Sequence, residues 1–81
     1  MQKAINSNDE IFVEGGYAKM RVGLTWTVPA LPFGKIESLQ EENGVTYATV
    51  LLEEHREKVD INSLHPSDEF TALLLNKMVS H

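Results

Sequence analysis

Apolar and polar residues alternate most regularly between residues 19 and 27. The apolar positions of this segment are Met20, Val22, Leu24 and Trp26. Successive side chains of a strand point to opposite faces, so a period of two predicts a strand with these four residues buried. Gly23 lies inside the segment and predicts a bulge or a bend.

Further segments have the composition of strands, and they cover residues 10–14, 35–40, 45–52 and 56–61. The segment 45–52 is rich in β-branched residues and apolar on both faces, which is typical of a central strand. Asn43-Gly44 precedes it and predicts a hairpin turn. Residues 1–9 are polar with little periodicity, and they are interpreted as a flexible lead-in or an edge strand.

The C-terminal part of the chain predicts a turn and then a helix. Residues 62–66 contain Pro66 and are interpreted as a short turn. Ser67 is a suitable N-cap for a helix over 68–78, whose apolar residues recur at helical spacing. We expect Phe70, Leu73 and Leu74 to cover an open end of the β-structure, because a short isolated helix is marginal in water.

The element order predicts a mainly β protein: a small five-stranded antiparallel barrel, SH3-like or OB-like, with a C-terminal α-helix. Residues 10–81 would form this single domain. The predicted core comprises Met20, Val22, Leu24, Trp26, Ile36, Val50, Val59 and Leu64.

Two resemblances support this fold class. The run 34–64, with its glycine-started strand, long central strand and final one-turn helix, resembles SH3-like domains such as the photosystem accessory-subunit and KOW-type families. Val28-Pro29, Gly34-Lys35-Ile36, Ala48-Thr49-Val50 and 56–59 also look like the small hydrogenase-maturation chaperones, which have a five-stranded barrel and a C-terminal helix. Those chaperones act through an N-terminal Met-Cys, whereas Gln2 follows Met1 here, so the likeness concerns the fold alone.

Composition narrows the function classes. The 81 residues carry a formal net charge of −5 and include no cysteine. An acidic surface repels phosphate backbones, so nucleic acid is an unfavoured partner. Without cysteine there is no disulfide framework, and a cytoplasmic location is expected. The longest apolar run, Ala72–Leu75, is too short for a membrane span, and no membrane association is predicted.

No catalytic or metal-binding constellation is apparent in the sequence. His55 lies among carboxylates but has no second histidine nearby. The pairs Glu41-Glu42 and Glu53-Glu54 flank turns, where carboxylates are solvated. The sequence therefore predicts a protein that is not an enzyme, with no catalytic residues, no metal site and no cofactor.

The loop 28–34 is unusually apolar, because connecting segments are normally polar. The candidate partner-binding residues are Pro29, Leu31, Pro32, Phe33 and Tyr47. If they form an interface, Leu31 and Phe33 are at least partly exposed in the isolated chain and become covered by a second copy or by a protein partner. In the rival interpretation both side chains fold inward and plug the barrel.

The sequence thus favours a non-enzymatic protein-binding, accessory or regulatory domain that forms a homodimer or docks on another protein. One alternative is a nucleic-acid-associated barrel that uses Lys19, Arg21 and Lys35. Another is a small ligand-binding protein or enzyme, which would require a deep polar pocket at His55 or His65.

Overall fold

A computed structural model of the chain describes residues 4–7, 9–27 and 31–79. Strands make up 56% of this structure, and it ends in a helix. The strands are β1 (Ala4–Ser7), β2 (Glu10–Val13), β3 (Tyr17–Met20), β4 (Phe33–Glu42), β5 (Val45–Leu52), β6 (His55–Asp60) and β7 (Leu64–Ser67). A one-turn 3-10 helix, Ile61–Ser63, connects β6 to β7, and the α-helix α1 spans Glu69–Val79.

The strands form two antiparallel sheets. β1 and β2 pair in a small sheet, with Ile5 opposite Phe12. The other strands form a five-stranded sheet in the order β6-β5-β4-β3-β7. The mainly β class with a C-terminal helix is confirmed. Both sheets are open, so a closed SH3-like or OB-like barrel is not confirmed.

The β4–β5 hairpin follows the sequence prediction closely. Glu42 pairs with Val45, which leaves Asn43 and Gly44 as a two-residue loop with φ of 52° and 80°. Positive φ at both central residues is typical of the type I′ turn that Asn-Gly favours. The register shifts between Ile36 and Ser38 in β4. Such a β-bulge changes the alternation of faces.

The core combines residues of the larger sheet with Phe12 of the small sheet, and Ile5 packs against it. Its fully buried large side chains are Phe12, Ile36, Val50, Leu52 and Leu64. Ala18 and Ala48 are also buried, and they let neighbouring strands and side chains approach closely. Five of the eight predicted core residues are buried, namely Trp26, Ile36, Val50, Val59 and Leu64.

The prediction of one strand over residues 19–27 was wrong. β3 ends at Met20, and the next residues turn, with the Leu24 N–H donating to the Arg21 carbonyl at 3.0 Å. Gly23 adopts a φ of 91°, which glycine reaches without penalty. Val22 is fully exposed and Leu24 is about half exposed, so the alternating pattern does not define a buried face.

The predicted turn over residues 62–66 contains a strand instead. β7 begins at Leu64 and pairs with β3, placing Pro66 opposite Ala18. Proline cannot donate a ladder hydrogen bond, but β7 lies at the edge of the sheet, where proline is tolerated. Ser67 pairs with Tyr17 in this ladder and is not the N-cap of the helix.

The N-cap of α1 is Asp68. Its carboxylate accepts a hydrogen bond from the Thr71 backbone N–H at 2.8 Å. That hydrogen bond lowers the pKa of the Asp68 carboxyl. The capping acid also meets the positive end of the helix dipole, which explains why the helix begins at Glu69.

The helix packs differently from the sequence prediction. Phe70 is 77% exposed, and Leu73 and Leu74 are each 47% exposed, so they do not cover the β-structure. The helix instead lies against β3 and β4, where Ala72 is completely buried. The helical periodicity predicted the helix itself. The side that packs on the sheet, however, carries the small Ala72, which allows the closest approach, and not the large apolar residues.

Candidate protein-binding site

An apolar groove of about 490 Å³ lies between the end of β3, the segment 21–27, the start of β4 and the end of α1. It is lined by Lys19, Met20, Leu24, Thr25, Trp26, Leu31, Pro32 and Val79. Most of these side chains are apolar, and only Lys19 contributes a charge. Concave apolar surfaces with few polar groups are typical binding sites.

Trp26 is the central wall residue of the groove. Its side chain is buried in the core cluster, and the indole Nε1–H donates to the Pro32 carbonyl at 3.3 Å. This hydrogen bond links the two walls of the groove. The Trp26 indole therefore holds Pro32 at a defined distance from the core.

Arg21 holds the start of the groove segment, which is residues 21–27. Its backbone N–H donates to the Ser63 carbonyl at 3.0 Å, and its Nε donates to the Asn62 carbonyl at 2.8 Å. Its Nη2 forms an ion pair with Glu10 at 2.7 Å. These bonds fix the chain where it leaves β3.

His65 completes a ring of hydrogen bonds with Arg21 and Glu10. His65 Nδ1 lies 2.8 Å from Glu10 Oε2, and Arg21 Nη1 lies 3.0 Å from His65 Nε2. An arginine only donates, so Nε2 accepts and Nδ1–H donates to the carboxylate. The hydrogen bond from His65 and the positive charge of Arg21 lower the pKa of the Glu10 carboxyl.

Side chains of β6 and α1 hold the chain at the other two points where it leaves the groove, Thr27 and Phe33. The Thr27 N–H donates to both carboxylate oxygens of Glu57, at 2.9 and 3.0 Å. Asn76 brackets Phe33, accepting from its N–H at 3.0 Å and donating to its carbonyl at 2.9 Å. The groove is therefore preformed by hydrogen bonds rather than by the apolar residues alone.

The structure separates the predicted partner-binding residues. Leu31 and Pro32 are half-buried and line the groove, whereas Phe33 is 5% exposed at the start of β4. The expectation that Phe33 is partly exposed was wrong, because α1 covers it through Asn76. Tyr47 lies on β5, where Lys58 Nζ sits 4.8 Å from its ring centroid, and it is not part of the groove. Pro29 lies outside the described residues.

Sequence reasoning missed both the floor of the groove and its anchors. Met20 and Trp26 looked like ordinary members of a strand face, and Val79 belongs to a distant helix. Glu10 and His65 are 55 residues apart, so no local spacing connects them. The apolar loop was the available signal, since Leu31 and Pro32 line the groove.

The candidates for other chemistry are dispersed. Arg21 is committed to Glu10, which leaves Lys19 and Lys35 from the predicted basic surface. His55 begins β6, where its Nε2 lies 3.6 Å from Glu57 Oε2, and it does not line the groove. Over residues 4–7, 9–27 and 31–79, no group of three or more metal-ligating side chains is placed to hold an ion. No helix in the same part of the chain has the length and apolar character to cross a membrane.

Comparisons of the chain with known protein families, curated proteins and solved structures found no match. The resemblances to small barrel families therefore stay predictions.

Proposed function

We propose that this chain is a non-enzymatic accessory domain that binds a larger protein through the apolar groove. The observation that carries the proposal is the groove itself, a preformed concavity of about 490 Å³ walled by Trp26, Leu31 and Pro32. A preformed site binds without the entropic cost of ordering its own walls. Trp26 is buried in the core cluster and gives the groove a rigid wall, against which an apolar side chain of the partner can pack.

The chemistry of the groove indicates the partner. Its apolar lining fits a short apolar segment of another chain, and Lys19 at the rim fits an acidic residue beside that segment. The Lys19 ammonium lies 6.0 Å from the Phe33 ring centroid and has no ion pair among the described residues. An acidic group on the partner would supply that pair.

We further propose that the larger sheet represents an open form of the SH3-like plan. The run 34–64 contains the expected strand, turn, central strand, turn, further strand and one-turn helix. β3 and β7, the first and last strands of this sheet, pair with each other. In this plan the groove segment 21–27 is the long connection between β3 and β4, a position at which loops commonly carry binding residues.

The test is site-specific photo-crosslinking in the cells that make the protein. A photoreactive amino acid is placed at Leu31 or Leu24 in the groove and, as a matched control, at Glu54 in the exposed β5–β6 turn. We expect one discrete crosslinked protein from both groove positions and none from Glu54. The captured protein is then purified, and its affinity is measured with the parent chain and with Leu24→Ser.

Leu24→Ser should weaken that binding about tenfold, since the loss of one buried leucine contact is worth roughly 1.5–3 kcal/mol at most. The melting temperature should stay near that of the parent, because Leu24 is about half exposed. Equal crosslinking from Glu54 and the groove would overturn the proposal. So would a product with twice the mass of the chain as the only adduct.

A further inference from the structure

The outer face of α1 carries a second exposed apolar surface, separate from the groove. Its main members are Phe70, Leu73, Leu74 and Met78, which are 77%, 47%, 47% and 65% exposed. Ala72 is buried on the opposite side of the helix. The helix therefore has one side packed on the sheet and one apolar side left in water, which is a feature of interaction sites.

Two charged residues frame this apolar face. Glu69 lies in the first turn and Lys77 in the last, and together with Phe70, Leu73 and Leu74 they line one shallow depression. They are eight residues apart, or about 12 Å at 1.5 Å per residue, too far to pair with each other. Neither forms an ion pair among the described residues.

The charges of this helix face match those of a second copy of the helix that runs in the opposite direction. Glu69, Leu73 and Lys77 form one ridge of the helix at spacing i, i+4, i+8, and Phe70, Leu74 and Met78 form the adjacent ridge. A second helix that runs antiparallel places its Lys77 at Glu69 and its Glu69 at Lys77. The two-fold axis then passes close to Leu73, and both apolar ridges interdigitate around it.

We propose that the chain forms an antiparallel homodimer through the outer faces of α1, held by two symmetric Glu69–Lys77 ion pairs around Phe70, Leu73 and Leu74. A parallel arrangement would place like charges together. An unrelated partner would have no reason to match the glutamate-leucine-lysine ridge in reverse. This proposal uses a surface other than the groove and does not rest on it.

The size of the interface sets the expected affinity. An 11-residue helix spans about 16 Å. Because such a helix is only about 10–12 Å wide with its side chains, one face of it buries far less than the roughly 800 Å² per partner of a standard stable complex. We therefore expect a weak, concentration-dependent dimer, with a dissociation constant of about 10–500 μM. Salt at roughly 0.15 M screens the repulsion between two acidic copies.

The test is a charge-reversal cycle followed by sedimentation equilibrium. Glu69→Lys leaves lysine at both positions and Lys77→Glu leaves glutamate at both, so each variant alone should dimerise about tenfold more weakly than the parent. An equimolar mixture of the two should form a heterodimer at least as tight as the parent dimer. The double variant E69K/K77E should recover the parent affinity.

Matched controls carry the same charge changes elsewhere. Glu54→Lys and Lys35→Glu alter exposed residues away from the helix and should leave dimerisation within about twofold. Leu24→Ser in the groove should also leave it unchanged, which keeps this proposal distinguishable from the groove proposal. A parent chain that stays monomeric at about 1 mM would overturn the dimer. A mixture no tighter than its components would overturn the ion pairs. Single variants that dimerise as tightly as the parent would overturn the antiparallel arrangement, because a parallel pair already sets like charges together.

Discussion

The β4–β5 hairpin and α1 both carry apolar residues at the spacing of their own secondary structure, but they differ in what covers those residues. In the hairpin, Ile36 and Val50 are opposite each other in register and buried. In the helix, Phe70 and Leu73 face water, and the buried residue is Ala72. Periodicity thus predicts the element, whereas burial of its apolar face requires a second surface that fits it.

The difference has a physical cause at the contact between helix and sheet. Phe33 begins β4, and Asn76 of α1 is bonded to both of its backbone groups, while Ala72 is buried on the same side of the helix. A small residue and an amide therefore face the sheet, and the large residues turn outward. The close approach of Ala72 and the hydrogen bonds of Asn76 attach the helix to the sheet. Buried apolar area, in contrast, stabilises the β4–β5 hairpin.

The largest effect is expected at the hairpin. Val50→Asp buries an unpaired charge at a position that is completely inaccessible. Such a charge costs about 3–5 kcal/mol or more, against a total stability of roughly 4–12 kcal/mol for this chain length. The variant should lose its cooperative thermal transition in circular dichroism. Lys35→Asp, at an exposed position of β4, is the control and should stay within about 0.5 kcal/mol of the parent. A Val50→Asp protein that melts like the parent would contradict the assignment of this face to the core.

The next largest effect is expected in the helix, where a change at the small Ala72 should lower stability more than a change at the large Phe70. Ala72→Leu should overpack the contact with the sheet and destabilise the protein by about 1–3 kcal/mol. Phe70→Ser, which removes the larger side chain from water, should change stability by no more than about 0.5 kcal/mol in dilute protein. Urea unfolding measures both. If Phe70→Ser proved the more damaging change, the packing of α1 described here would be wrong.

A smaller effect is expected for the polar attachment of the helix. Asn76→Ala leaves the N–H and carbonyl of Phe33 without these partners in a partly buried site. The free energy of unfolding should fall by about 1–2 kcal/mol. Amide hydrogen exchange should accelerate at Phe33 more than at Val50, because the hairpin does not depend on this bond. Equal acceleration at both residues would indicate global destabilisation instead.

The smallest effects concern two acidic residues, one beside the sheet and one at the start of the helix. Glu10 holds Arg21 and His65 beside the sheet, and Asp68 caps the helix; hydrogen bonds lower the pKa of both carboxyls. A lowered folded-state pKa contributes stability above the ordinary value, 4.5 for Glu10 and 3.8 for Asp68, and that contribution disappears as pH falls through the folded-state value.

Glu10→Gln and Asp68→Asn should therefore be less stable than the parent at about pH 6, and the gap should narrow towards about pH 3. Urea unfolding at several pH values measures the gap. Glu10→Gln should show the narrowing at higher pH than Asp68→Asn. A gap that stays constant with pH would show that the charge of the acid is not what stabilises the fold.

Several elements were determined by the sequence alone, because their signals are local. The Asn43-Gly44 turn follows from the φ angles that these residues accept, and β5 follows from its β-branched composition. The C-terminal helix follows from its spacing and its acidic start. The position of the apolar loop also pointed to the groove, since Leu31 and Pro32 line it.

Only the tertiary structure decided which surfaces meet. Pro66 looked like part of a turn until β7 was placed at a sheet edge, where its missing N–H costs no hydrogen bond. Val22 and Trp26 have the same periodic position, yet one is fully exposed and the other is buried, because the chain turns at Gly23. Arg21 donates to the Asn62 carbonyl 41 residues away, and Asn76 donates to the Phe33 carbonyl 43 residues away. Contacts over such distances depend on how whole elements pack, and local sequence patterns carry no record of that packing.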